Sequence, residues 1–111
     1  MLWELGRHTE AEPLQQQAIA ITERALGPEH PDLATWLNNL ANLYSDTGRF
    51  AEAEPLYERA LAILDRTLPP DHPRQALYRE NYAALLDKLD RAEEATEMRA
   101  KAAAIREARG G

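Results

Sequence analysis

The sequence predicts an all-α protein, a solenoid of antiparallel helix pairs with about five helices. Three observations predict this class. A shift of 42 residues, from Gly6 to Gly48, brings much of the chain into register with itself. Apolar residues recur at three- and four-residue steps, and no segment shows the two-residue alternation of a strand. The 111 residues are therefore expected to form one domain made of repeats.

The internal repeat aligns residues 6–31 with residues 48–73. Matched pairs are Gly6/Gly48, Glu12/Glu54, Pro13/Pro55, Leu14/Leu56, Ile21/Ile63, His30/His72 and Pro31/Pro73. The same shift relates Asn39 to Asn81. The chain is therefore predicted to consist of a truncated first repeat over 1–32, a full repeat over 33–74, a C-terminal capping repeat over 75–109 and a tail over 110–111.

The middle repeat predicts two helices. The first, Leu33–Asp46, has apolar residues on one face. Gly48 then ends it, because glycine adopts the left-handed conformation of a helix C-terminus without steric cost. The second helix, Phe50–Thr67, ends at the prolines that follow it, since proline cannot continue a helix.

The third repeat predicts helices over Gln75–Lys88 and Arg91–Arg109. Asp90 stands where the middle repeat has glycine, and with Glu93 it is interpreted as a capping box for the last helix. Arginine replaces apolar residues at 99 and 106. Terminal repeats need a polar outer face, so this unit is interpreted as the end of the solenoid.

The first repeat lacks most of its first helix. Only Met1–Leu5 precede Gly6, enough for about one turn, while its second helix is predicted over Glu10–Leu26. One stripe of that helix has apolar residues and no predicted partner: Ala11, Leu14, Ala18 and Ile21. The sequence predicts that a second chain covers this stripe in a two-fold homodimer, or by exchange of a helix. The alternative is a chain whose missing helix lies upstream in a longer parent.

The repeat resembles the tetratricopeptide repeat. Its signature positions are occupied by Leu37, Leu40, Ala41, Tyr44, Ala53, Tyr57 and Ala60. The longer 42-residue period and the segment Gly27–Pro31 are similar to the repeats of kinesin light chains and related bacterial proteins. The resemblance implies a right-handed superhelix that holds peptides on its concave surface.

Composition excludes several classes of function. The net charge of −6 argues against nucleic acid as a partner, because that affinity depends on clustered Lys and Arg. The longest apolar run, residues 60–64, is far shorter than the ~20 residues that span a bilayer. The absence of cysteine excludes disulfides and thiolate chemistry. A cytoplasmic protein without membrane attachment is expected.

No residue pattern predicts catalysis, a cofactor or a metal. His30 and His72 lie one repeat apart, on the order of 20 Å by helix spacing, so one ion could not bridge them. They are predicted to hydrogen-bond the loop or the start of the following helix. Ser45 is the sole serine and has no histidine at helical spacing. The protein is therefore predicted not to be an enzyme.

The best functional candidate is a polar stripe on the first helices of the repeats. It comprises Thr35, Asn38, Asn42, Ser45 and Asp46 in the middle repeat and Glu80, Ala84, Asp87 and Lys88 in the third. This stripe is predicted to form a groove for a polar or basic peptide; the alternatives are an ordinary solvated face and a chain that only self-associates. Asn39 and Asn81 are predicted to make structural hydrogen bonds, and Trp36 and Tyr78 to pack between repeats.

Overall fold

The structure, a computed structural model, describes residues 2–110, with side chains for residues 10–108. Five α-helices follow one another: α1 Leu2–Leu26, α2 Pro31–Asp46, α3 Phe50–Thr67, α4 Pro73–Lys88 and α5 Ala92–Gly110. No strand occurs in the described part of the chain. The predicted all-α solenoid of about five helices is confirmed.

The helices pack in chain order, each against the next. Helices α2 and α3 form one close pair and α4 and α5 the other, while α1 packs on α2 and α3 packs on α4. Helix α2 also contacts α4. We call the surface on which α2 and α4 adjoin the α2–α4 face.

A continuous core joins the repeats. Its largest fully buried side chains are Tyr57, Leu33, Leu37, Ile63, Leu64, Leu85, Leu86 and Gln75. The rings of Tyr57 and Tyr82 stack with centroids 5.7 Å apart, which links α3 to α4. The buried amide of Gln75 donates to the Leu64 carbonyl at 3.1 Å and accepts from Arg79 at 2.7 Å. The buried Gln75 amide is therefore satisfied on both sides.

Two histidines cap helices, as the sequence predicts. The Nδ1 atom of His30 accepts from the backbone N–H of Asp32 at 3.1 Å, and Nδ1 of His72 accepts from that of Arg74 at 3.1 Å. Helices α2 and α4 begin at Pro31 and Pro73, two residues before their predicted starts, because proline suits the first helical turn. The structural interpretation of both histidines is confirmed.

The capping-box interpretation of Asp90 is wrong. Asp90 has φ +60° and takes the left-handed position that Gly48 occupies with φ +83°. The same closing bond follows in both turns, from Arg49 N–H to the Tyr44 carbonyl and from Arg91 N–H to the Leu86 carbonyl. Asp90 therefore ends α4, as Gly48 ends α2, and α5 begins two residues later.

Helix α1 differs from the predicted short helix, turn and second helix. It runs without interruption from Leu2 to Leu26, through Gly6. A helical glycine costs only about 1 kcal/mol relative to alanine, so a glycine alone does not end a helix. At the other end, Gly110, expected in the tail, is the last residue of α5. Met1 and Gly111, which the predicted unit boundaries include, lie outside the described residues.

Two equivalent glutamates join neighbouring repeats. Glu12 accepts from the Tyr44 hydroxyl at 3.1 Å and from Arg49 at 2.5 Å. Glu54 accepts from the Tyr82 hydroxyl at 2.6 Å and from Arg91 at 2.8 Å. We call these groups the first clamp (Glu12, Tyr44, Arg49) and the second clamp (Glu54, Tyr82, Arg91). The repeat shift relates their glutamates and arginines, but Tyr82 lies one helical turn before the position equivalent to Tyr44.

The clamps predict a loss of stability in acid. The hydrogen bond from Arg49 lowers the pKa of Glu12 below its usual 4.5, and that from Arg91 does the same for the pKa of Glu54. A carboxylate with a lowered folded-state pKa stabilises the fold above the unfolded-state pKa, and this stabilisation is lost as the pH falls through the folded-state value.

We therefore expect urea midpoints, followed by helical circular dichroism, to fall between neutral pH and about pH 3. Glu54→Gln cannot titrate, so its midpoint should fall less over the same interval. An equal fall in Glu54→Gln and the unchanged protein would contradict a contribution from the second clamp.

Candidate partner-binding face

A depression lies between the two helices of the α2–α4 face, near their C-terminal ends. It has a volume of about 290 Å³ and is lined by Asn42, Ser45, Asp46, Tyr57, Asn81, Ala84 and Lys88. Five of these residues belong to the stripe predicted from the sequence. The depression is therefore the part of that stripe that the fold brings together.

Lys88 bridges the two helices across the depression. Its Nζ lies 3.4 Å from the Ser45 hydroxyl and 3.5 Å from the Ser45 carbonyl oxygen. The same ammonium is 5.7 Å from the centre of the Phe50 ring. Ser45 is itself buried. These contacts direct the lysine charge towards α2 and orient it at the edge of the depression.

Asn42 and Asp46 provide groups that the protein does not use itself. The Tyr57 hydroxyl donates to the side-chain oxygen of Asn42, which leaves the Asn42 amide hydrogens available. Burial raises the pKa of Tyr57, and the negative charge of Asp46 raises it further, so this hydroxyl stays a donor at neutral pH. The exposed Asp46 carboxylate has no ion-pair or hydrogen-bond partner among the side chains of residues 10–108.

Four residues of the predicted stripe lie outside the depression and contact other helices. Thr35 accepts from the Tyr78 hydroxyl at 3.1 Å, and the buried Asn38 accepts from Asn81 at 3.3 Å. Glu80 accepts from Arg106 at 3.0 Å, and Asp87 pairs with Arg99. One flank of α2 therefore contacts α4, and one flank of α4 contacts α5. The structural hydrogen bond predicted for Asn81 is confirmed, whereas Asn39 is exposed.

Sequence reasoning missed two contributors to the depression. The sequence predicts Tyr57 only as a signature position of the repeat and Asn81 only as a residue with a structural hydrogen bond, yet both line the depression. Leu77, which the repeat alignment places on the stripe at the position of Thr35, is 47% exposed and adds an apolar side chain to α4. The position of Tyr57 could not be predicted, because it depends on how α3 packs beneath α2.

A second exposed surface lies on α1 and the start of α2. Leu14 is 65% exposed and Ile21 62%, and Trp36 on α2 is 37% exposed. Of the remaining stripe residues, Ala11 packs against the core and Ala18 is half-buried. We call Leu14, Ile21, Trp36 and Asn39 the N-terminal face.

The repeat shows why the N-terminal face is exposed. Ile63, equivalent to Ile21, is 1% exposed, and Tyr78, equivalent to Trp36, is 3% exposed. Both equivalents lie beside α2, and no described helix occupies the corresponding place beside α1. The prediction of packing between repeats is confirmed for Tyr78. Trp36 stays 37% exposed among the described residues.

The described residues form no metal site and no membrane span. No group of three His, Cys, Asp or Glu side chains in that part of the chain could hold a metal ion. Within residues 2–110, every helix is too short or too polar to cross a bilayer. The side chains described above therefore offer hydrogen bonds, charge and apolar contact.

Comparison with known families gives two overlapping matches. The sequence model of the family described as "Tetratricopeptide repeat" matches residues 1–66 and 46–108. Together the matches cover almost the whole chain. A search of curated proteins finds no match.

Solved structures similar to this chain are helical repeat proteins. One is a kinesin light chain structure from Podosopora anserina, whose TPR-like repeats are nearly identical to one another. It shares 30% identity with this chain at a TM-score of 0.84, and the match covers 93% of this chain and 49% of that one. BtubC (BKLC) of P. vanneervenii shares 25% identity with a TM-score of 0.88 over 97% of this chain and 43% of its own. The chain thus spans about half the length of the structures it matches.

Proposed function

The chain belongs to the tetratricopeptide repeat family, and from this membership we propose that it is a non-enzymatic module that binds an extended segment of a protein partner on the α2–α4 face. The family fold supports protein–protein interaction in general. The observation that supports this particular face is the depression of about 290 Å³ between α2 and α4. The cytoplasmic location and the division into three units stay predictions.

The chemistry of the depression favours a polar or basic segment. Asp46 provides a negative charge without a partner among the described side chains, in a chain of net charge −6. The amide hydrogens of Asn42 and the side-chain oxygen of Asn81 supply a donor and an acceptor on opposite helices. Such a pair can hydrogen-bond the backbone of an extended peptide without requiring a particular side chain.

The proposal predicts which substitutions weaken peptide binding. Random peptides displayed on phage are selected on the unchanged protein, and the peptides obtained are measured by calorimetry. We expect Lys- and Arg-rich peptides, because the Asp46 carboxylate has no partner among the described side chains, whereas Ser45 holds the Lys88 ammonium. Asp46→Lys should weaken binding by about tenfold, and Ala84→Arg should do so by filling the depression.

The matched control for Ala84→Arg is Ala103→Arg, which introduces the same side chain at an exposed site on α5. It should leave the affinity unchanged. Peptides that bind Ala84→Arg and Asp46→Lys as tightly as the unchanged protein would refute this face as the binding site. Asn38→Ala is unsuitable for this test, because it removes a buried hydrogen bond between α2 and α4.

Self-association is the second candidate function, and the exposure of Leu14 and Ile21 favours it. A second copy that covers the N-terminal face would remove these side chains from water. Size exclusion with light scattering tests the idea: we expect a dimer at high concentration and a monomer for the double variant Leu14→Glu, Ile21→Glu. A monomer at every concentration would refute it and favour a covering helix from a longer parent.

A further inference from the structure

The next repeat shows what kind of element covers Ile63 and Tyr78, the equivalents of Ile21 and Trp36 on the N-terminal face. Helix α2 packs against its antiparallel partner α3 and buries Ile63 to 1% exposure. Thr35 on α2 also accepts a hydrogen bond from the hydroxyl of Tyr78 on α4 at 3.1 Å. Helix α2 therefore contacts both the face of α3 that contains Ile63 and the start of α4. By equivalence, the N-terminal face fits a helix that runs antiparallel to α1 and reaches Trp36.

Helix α1 has a charge pattern beside its exposed apolar residues. Glu10, Gln17 and Arg24 are spaced seven residues apart and lie on one flank of the stripe that contains Leu14 and Ile21. All three are exposed. Neither charged residue has an ion-pair or hydrogen-bond partner among the side chains of residues 10–108. The flank is thus negative at one end, neutral in the middle and positive at the other.

We propose that the N-terminal face binds α1 of a second copy, antiparallel, with the two-fold axis beside Gln17. This inference rests on the self-association proposed above and specifies its geometry. In antiparallel helices, residues of the same flank face each other across the axis, so Glu10 meets Arg24 of the partner subunit and Arg24 meets the partner's Glu10. In a parallel two-fold pair the same flanks lie on opposite sides of the contact, so Glu10 and Arg24 would not face each other.

The pairing also satisfies the repeat geometry. Each α1 becomes for the other what α2 is for α3, an antiparallel helix over the same apolar stripe. Leu14 and Ile21 of both copies then leave water together, and Trp36 lies at the margin of the contact. The contact involves few large side chains per copy, so we expect a dimer that dissociates on dilution.

The test uses complementary charge reversals. Glu10→Arg makes the flank positive at both ends, and Arg24→Glu makes it negative at both ends. Each variant alone should raise the dissociation constant of its homodimer about tenfold in low salt, because two attractive pairs become two repulsive ones. An equimolar mixture of the two should recover dimers, since every facing pair is again opposite in charge. Glu97→Arg, an equal charge change on exposed α5, should have no effect.

Sedimentation equilibrium separates the outcomes. Weakened single variants and a recovered mixture support the antiparallel pairing. A dimer that neither reversal weakens, or a mixture that does not recover, overturns this pairing while self-association stands. A monomeric unchanged protein at all concentrations overturns both. Circular dichroism of each variant confirms that helix content is retained.

Discussion

Ile63→Ala lowers the free energy of unfolding by about 2–4 kcal/mol, whereas Ile21→Ala changes that of the monomer by less than about 0.5 kcal/mol. The two isoleucines occupy the same position of successive repeats. Ile63 is 1% exposed beneath α2, and Ile21 is 62% exposed. Truncation at Ile63 removes buried methyl groups and leaves a cavity, while truncation at Ile21 removes groups that already contact water.

Urea unfolding at low protein concentration, where the monomer predominates, measures both variants. Equal effects at the two positions would contradict the exposure of Ile21, and with it the uncovered N-terminal face. Repeating the measurement at high concentration adds a second readout. If a second copy covers Ile21, the cost of Ile21→Ala should rise with concentration, because dimerisation stabilises the folded state by mass action.

Glu54→Ala lowers the free energy of unfolding by about 1–3 kcal/mol. The substitution leaves the hydroxyl of Tyr82, a residue that is 5% exposed, without its short hydrogen bond and leaves Arg91 without a partner on α3. Glu58, whose carboxylate lies 3.4 Å from the same hydroxyl, offers only a weaker acceptor. Loss of the second clamp therefore loosens the contact between the second and third repeats.

Two variants serve as controls for this prediction. Glu93→Ala changes an exposed glutamate in the first turn of α5 and should cost much less than Glu54→Ala. Tyr82→Phe removes the unsatisfied hydroxyl, so adding it to Glu54→Ala should cost less than Tyr82→Phe alone. Strict additivity of the two changes in urea midpoints would contradict a direct clamp between Glu54 and Tyr82.

Helix content and caps could be predicted from local sequence, but the continuity of α1 could not. His30 and His72 cap the helices that follow them because the bond is made within two residues. Gly6 is followed by arginine, as Gly48 is, yet it lies inside a helix. At Gly48 the pairing of α2 with α3 closes the turn, and no described helix plays the part of α2 at Gly6. Tertiary packing therefore decided between a turn and a helix.

The candidate site was predicted in part, because helical periodicity defines a stripe but not its neighbours. Asn42, Asp46 and Ala84 lie on the open side of their helices, where the periodicity placed them. Asn38 and Ser45 lie on the flank that α4 covers, and both are buried. The clamps could not be predicted from the sequence, because each joins a glutamate of one repeat to residues of the next through contacts that helix packing defines. The one-turn shift of Tyr82 further hides the equivalence of the clamps in the repeat alignment.

Binding of an extended partner segment on the α2–α4 face can be mapped residue by residue with NMR. A phage-selected basic peptide is titrated into the labelled protein, and the amide resonances that shift are mapped on the fold. We expect the largest shifts at Asn42, Ser45 and Asp46 on α2 and at Ala84 and Lys88 on α4. Shifts confined to the exposed side of α5 or to the N-terminal face, with the α2–α4 face unchanged, would contradict binding on this face.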